Sequence, residues 1–189
     1  INDEPTLDAL SDININEDDP EQTVNLTGIT ANGGEVQQLS VTAVSDNTSL
    51  IPDPTVTYSS ADSTGTLKFT PVADQFGTAT ITVTVEDGGL DNNLATPGDN
   101  GVINRTVVVN VAPINDEPTL DALSDININE DDPEQTVNLT GITANGGEVQ
   151  QLSVTAVSDN TSLIPDPTVT YSSADSTDRK STRLNSSHA

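Results

Sequence analysis

Three loops of this sequence gather oxygen-bearing side chains. "NEDDPE" places Glu17, Asp18 and Asp19 together, "SDN" places Asp46, and "EDGGLDNN" places Glu86, Asp87 and Asp91. A fourth group, "INDEPT", sets Asn2, Asp3 and Glu4 ahead of Pro5 and recurs as Asn115, Asp116 and Glu117 ahead of Pro118. Such groups are the ligands of a hard cation: Ca²⁺ takes about six to eight oxygens from carboxylates, amide and backbone carbonyls and water. Asp, Asn and Gly are equally the ordinary turn formers of β proteins. Each cluster alone therefore reads as a turn, and it is their gathering around a repeated joint that points to calcium. Other chemistry lacks its parts. Before residue 178 there is neither His nor Cys, so no nucleophile–base pair, disulfide or thiolate metal site can form. The acidic pairs lie in turns with no aromatic platform for a sugar, so a two-carboxylate glycosidase has little support, and we expect no enzyme.

The elements that must position these loops are strands. Period-two alternation runs throughout. "DININ" alternates Ile13 and Ile15, "QTVNLTG" Val24 and Leu26, and "QLSVTAV" Leu39, Val41 and Ala43. "TVTYSS" gives Val56 and Tyr58, and "TLKFTP" Leu67 and Phe69. "TATITVTVED" gives Ala79, Ile81, Val83 and Val85, and "VINRTVVVNV" gives Ile103, Arg105, Val107, Val109 and Val111. No stretch has helical spacing. Each inward row needs a facing sheet, so the sequence predicts an all-β, antiparallel Greek-key sandwich of about seven strands per module.

The module repeats. Residues 1–64 and 114–177 are identical. The period exceeds the roughly 20–50 residues of helical solenoids and suits a β-sandwich of about 100 residues. We expect residues 1–113 to be one complete module with 1–6 as a linker segment, and 114–177 to be a truncated copy lacking the last three strands. Pro113 and Pro118 stiffen the joint, since each fixes its own φ and extends the residue before it.

Residues 178–189, "DRKSTRLNSSHA", differ in character. They hold three of the five basic residues and the one histidine. Residues 178–188 resemble a translated sequencing-library adapter, so this tail is expected to be an artefact and disordered. Ahead of it, Lys68 and Arg105 stand against every acidic residue but Asp178. Such a surface repels nucleic acid and anionic membranes and attracts cations. No apolar run approaches the ~20 residues of a membrane span. "NLT", "NTS" and "NRT" (Asn25, Asn47, Asn104) fit the glycosylation pattern but read as chance in a Thr-rich chain.

"VEDGGLDNN…VVVNVAPINDEPTL" resembles the end of a cadherin-type repeat: a strand ending in Asp-Gly, a Val-rich final strand, then an Asn-Asp linker before proline. It is similar to the cadherin-like and Ig-like tandem repeats of large bacterial surface proteins, over residues 1–177. The resemblance implies Ca²⁺ between modules, held by Glu17, Asn115, Asp116 and Asp159 at the downstream joint. At the upstream joint it implies Asn2, Asp3, Asp46 and Asp87. The family's mid-domain Asp-Arg-Glu motif is absent; "FTPVADQFG", with Asp74, stands in that region.

The function expected is a spacer or adhesion module of a long extracellular tandem-repeat protein, rigidified by Ca²⁺ at its joints. Its partners would be neighbouring identical modules in the same chain, with a cell-surface or matrix ligand reached through other domains. A calcium-free Ig-like spacer and an accessory domain of a secreted enzyme remain the alternatives. The chain is expected to be a fragment at both ends, from a protein at the cell surface.

Overall fold

A computed structural model describes residues 1–173 and the backbone of residues 180–184. It divides into two units, Ile1–Ile114 and Asn115–Ala189. All regular structure among the described residues is strand.

Seven strands build the first unit: β1 (Ile13–Asn16), β2 (Gln22–Thr27), β3 (Leu39–Ser45), β4 (Thr55–Thr57), β5 (Thr64–Phe69), β6 (Gly77–Asp87) and β7 (Val102–Ala112). Each coincides with one of the alternating segments. One sheet has the order β1-β7-β6-β3 and the other β2-β5-β4. The pairs are antiparallel except β1, which runs parallel to β7 with Ile13 opposite Val109 and Asn16 opposite Ala112. These two sheets form the expected β-sandwich in an Ig-like strand order.

Period two decides what lies inside. On β6, Ala79, Ile81, Val83 and Val85 are buried, while Thr80, Thr82 and Thr84 on the other face are only partly so. Val107, Val109 and Val111 on β7 continue this wall, and Leu26, Leu67 and Phe69 face it from the second sheet. Threonine suits the outer face because its branched Cβ favours extended backbone while its hydroxyl stays wet. Arg105 falls in the inward row at the end of β7 where the strand begins. Its Nε donates to the Leu7 carbonyl at 3.0 Å, so the guanidinium ties the N-terminal segment to the sheet.

That segment does more than link. Pro5 is fully buried, Leu7 joins the core, and Thr6 bridges to Thr30. Within residues 1–6, expected as a linker segment, Pro5 is thus packed on the module while Ile1, Asp3 and Glu4 are exposed.

The second unit holds β8 (Gln135–Leu139), β9 (Thr168–Val169) and β10 (Lys180–Leu184), in the order β8-β10-β9. The tail expected to be disordered forms β10, antiparallel to β8 with Lys180 opposite Leu139 and Leu184 opposite Gln135. The reason is an open edge. In the first unit β2 pairs with β5, but the copy that contains β8 has no counterpart of β5. An unpaired row of amides and carbonyls templates whatever backbone follows. The rest of the tail lies outside the described residues.

Candidate functional site

The strands of the first unit carry acidic loops to two opposite poles. At the upstream pole, β6 ends at Asp87 and a loop over 88–101 leads into β7. Asp87 is 0% exposed. Its Oδ1 accepts hydrogen bonds from Asn2 Nδ2 (3.1 Å), the Gly89 amide (2.9 Å) and the Gly101 amide (2.8 Å). Its Oδ2 accepts from Asn2 Nδ2 at 3.3 Å. Gly101 must be glycine here, because a Cβ would lie 2.5 Å from Asp87 Oδ2 and 3.0 Å from the Pro5 ring. Asn2 is held at both ends of its amide. Its Nδ2 also reaches the Asp99 carbonyl at 3.1 Å, and its Oδ1 accepts from Gln37 Nε2 at 2.6 Å. The Asp3 amide donates to Glu35 Oε2 at 3.3 Å, and Gln37 Nε2 donates to the same oxygen at 3.0 Å. Asn2, Asp3 and Asp87 therefore share this pole. A carboxylate surrounded by N–H donors has its negative charge already compensated, so Asp87 acts as the clamp of the segment.

Asp46 does not belong to that set. β3 runs antiparallel to β6, with Leu39 opposite Asp87 and Ser45 opposite Ile81. Asp46 follows Ser45, and its Oδ1 accepts from the Thr80 amide at 2.7 Å. Seven residues of β6 separate Thr80 from Asp87, about 23 Å at ~3.3 Å per residue. An upstream set containing both residues is excluded by the direction of β3. Asp159 occupies the same place in the repeated sequence, where the duplicate of β3 forms no strand. In the second unit the Ser158 amide is held by Asp166 Oδ1 at 2.8 Å, as Ser45 is by Asp53 at 2.9 Å.

At the downstream pole, β1 ends beside the end of β7. The Glu17 amide donates to the Ala112 carbonyl at 2.9 Å, and Glu17 Oε1 accepts from the Ile114 amide at 2.6 Å. Glu17 is 0% exposed, and its Oε2 has no hydrogen-bond partner among the described residues. A buried carboxylate oxygen without a donor is costly unless a cation or water supplies the missing charge or proton. The next residue, Asp18, sits in a left-handed turn at φ 62°, and Asp74 does so at φ 57°. The Asp74 amide donates to Asp18 Oδ1 at 3.2 Å. A carboxylate oxygen of each residue lies within 4.8 Å of the other. Like charges that close repel until a cation lies between them. Asp18 and Asp74 were absent from the predicted ligand sets. Their signal was weak: Asp18 looked like a turn residue, and Asp74 lies between strands in a segment lacking the motif the resemblance calls for.

In the second unit, Asn115 Oδ1 accepts from Gln150 Nε2 at 2.7 Å and the Asp116 amide donates to Glu148 Oε2 at 3.2 Å. These repeat the Asn2–Gln37 and Asp3–Glu35 contacts. Asn115 Nδ2 turns instead to the Asp116 carbonyl at 3.2 Å.

No family model matches this sequence, and no curated protein matches it. Among solved structures, the chain is similar to domains 4 and 5 of the S-layer protein SbsC, at 20% identity and a TM-score of 0.39. That match covers 59% of this chain and 53% of the other, so the chain spans about half the length of that structure. It is similar to domains 5-6 of the same S-layer protein at 16% identity and a TM-score of 0.36, covering 99% and 85%. A third similarity is to the titin domains z1z2 in complex with telethonin, at 14% identity and a TM-score of 0.37, covering 100% and 84%. The sandwich itself rests on strand order and register. No described helix is long and apolar enough to cross a membrane.

Proposed function

We propose that this chain is a structural spacer of a cell-surface tandem-repeat protein, with calcium seated at the downstream pole of each complete module. The observation that carries the reading is Glu17, fully buried with an oxygen that no donor among the described residues reaches. Asp18 and Asp74 supply further carboxylates at the same pole. A cation between Asp18 and Asp74, next to Glu17 in the chain, compensates their paired charge at this pole. The acidic surface favours such uptake and disfavours nucleic acid. Adhesion to a surface or matrix ligand would fall to other parts of the protein.

Extracellular modules bind calcium at roughly 10⁻⁴–10⁻³ M. At about ten times that dissociation constant, binding adds about 1.4 kcal/mol to the folded state. The wild type should therefore melt higher in millimolar calcium than in chelator. Glu17→Gln should abolish that increment while leaving the chelator melting point equal or higher. A wild type indifferent to calcium would overturn the calcium reading.

The second reading is a calcium-independent spacer, and Asp87 favours it. At the upstream pole Asp87 Oδ1 is already occupied by N–H donors from Asn2, Gly89 and Gly101. An unchanged melting point in chelator selects this reading.

A further inference from the structure

We propose that Asn32–Gly33 is a site of spontaneous deamidation, and that the fold protects the second Asn–Gly pair of the same unit, Asn100–Gly101. In this reaction the deprotonated amide nitrogen of the glycine attacks the asparagine side-chain carbonyl. A C–N bond forms, ammonia leaves, and a five-membered succinimide results. Water then opens the ring at either carbonyl, giving aspartate or isoaspartate. The net change is one water taken up and one ammonia released, with no oxidant or catalyst. Both pairs have the favourable sequence, since glycine puts no side chain in the path of the attack. The structure separates them.

Asn32 and Gly33 are exposed. The residues adopt positive φ in succession, 67° at Asn32, 56° at Gly33 and 77° at Gly34, and nothing lies within 4 Å of the Cβ position of Gly34. One backbone hydrogen bond closes the turn, from the Glu35 amide to the Asn32 carbonyl at 2.9 Å. The Asn32 side-chain amide and the Gly33 nitrogen have no hydrogen-bond partner among the described residues. Opening one short turn therefore frees both reacting groups.

Asn100 is half-buried, and both reacting groups are engaged. Its Nδ2 donates to Glu86 Oε1 at 2.8 Å and to the Leu94 carbonyl at 3.4 Å. The nitrogen that would attack, that of Gly101, donates to buried Asp87 Oδ1 at 2.8 Å, and the Gly101 carbonyl accepts from the Asp87 amide at 3.0 Å. Reaction there requires the clamp on Asn2 to open with it. Deamidation at Asn32 would add a carboxylate in the turn whose Gly33 lies against Asp3, and the isoaspartyl product would add a backbone carbon to that turn.

The test follows the intact chain during incubation in mildly alkaline buffer. Trypsin cuts after Lys68 and Arg105, so peptides 1–68 and 69–105 each carry one Asn–Gly pair. Fragment-ion mass spectrometry locates the amide-to-acid exchange. In the folded chain Asn32 should react at least about tenfold faster than Asn100, the factor expected from a few protecting hydrogen bonds in a cooperatively opening loop. In concentrated urea the two rates should converge. Equal rates in the folded chain, or a difference that persists in urea, would overturn the proposal.

Discussion

At the scale of single residues, two acidic positions that look alike in sequence have opposite duties. Asp87 is buried and accepts from Asn2, Gly89 and Gly101, whereas Asp46 is exposed and accepts from one amide of β6. Removing this carboxylate leaves the Gly89 and Gly101 amides unpaired and takes one of the acceptors of Asn2 Nδ2. Asp87→Ala should therefore cost about 3 kcal/mol, and Asp46→Ala about 1 kcal/mol or less. Urea denaturation of the two variants compares them directly; equal costs would refute the clamp. Tyr58 gives a pH signature. Burial lifts its phenol above the ordinary 10.0, the Ala61 backbone opposes this, and Asp62 adds to it. A raised folded pKa means that the folded state holds its proton longer than the unfolded state. The contribution is fully present below pH 10 and is lost as pH rises from there through the folded value. Tyr58→Phe should flatten that alkaline decline in a series of melting curves.

At the scale of elements, the repeat places one amino-acid sequence in two environments. Leu7 is 2% exposed because β6 and β7 complete the core around it, while its duplicate, Leu120, is 49% exposed. Leu7→Ala should cost about 3 kcal/mol, as for a buried leucine, and Leu120→Ala well under about 1 kcal/mol. The comparison uses the calorimetric transition of each variant in the full chain. Similar losses would mean that the second unit buries its leucine in solution. The same contrast governs strands. β1 forms because β7 lies beside it, and the identical residues 126–129 form none. β3 forms against β6, and the identical residues 152–158 stay irregular. β2 has its duplicate in β8 because each finds a neighbour, β5 in one case and the backbone of β10 in the other.

At the scale of the whole molecule, charge dominates. The chain carries a formal net charge of −25. Self-repulsion of this kind destabilises the folded state and weakens as salt shortens the screening length to about 10 Å at 0.1 M. Sodium chloride should therefore raise the melting temperature gradually. Calcium chloride at matched ionic strength should raise it further if a cation occupies the pole beside Glu17. Coincident curves for the two salts would reduce calcium to diffuse screening.

The sequence by itself determined which segments become strands and how the short turns close. Alternating Val, Ile and Thr leaves one buried row per strand, so all seven strands were legible from period two. The turns are local too. Asn16 pairs with Asp19 at 2.8 Å and Asn129 with Asp132 at 2.7 Å; Thr27 meets Asp8 at 2.8 Å and Thr140 meets Asp121 at 2.7 Å. These contacts recur in both copies because each is completed within the repeated residues. Tertiary structure decided the site. Whether a loop lies at the upstream or the downstream pole depends on which way its strand crosses the sandwich, and that direction is invisible in residue spacing. The resemblance groups Asp46 with Asp87, yet one strand length separates them. Glu17 meets the Ile114 amide across 97 residues only because β1 runs parallel to β7. Among the described residues of the second unit no strand takes the place of β6 or β7, and the duplicates of β1 and β3 form no strand there.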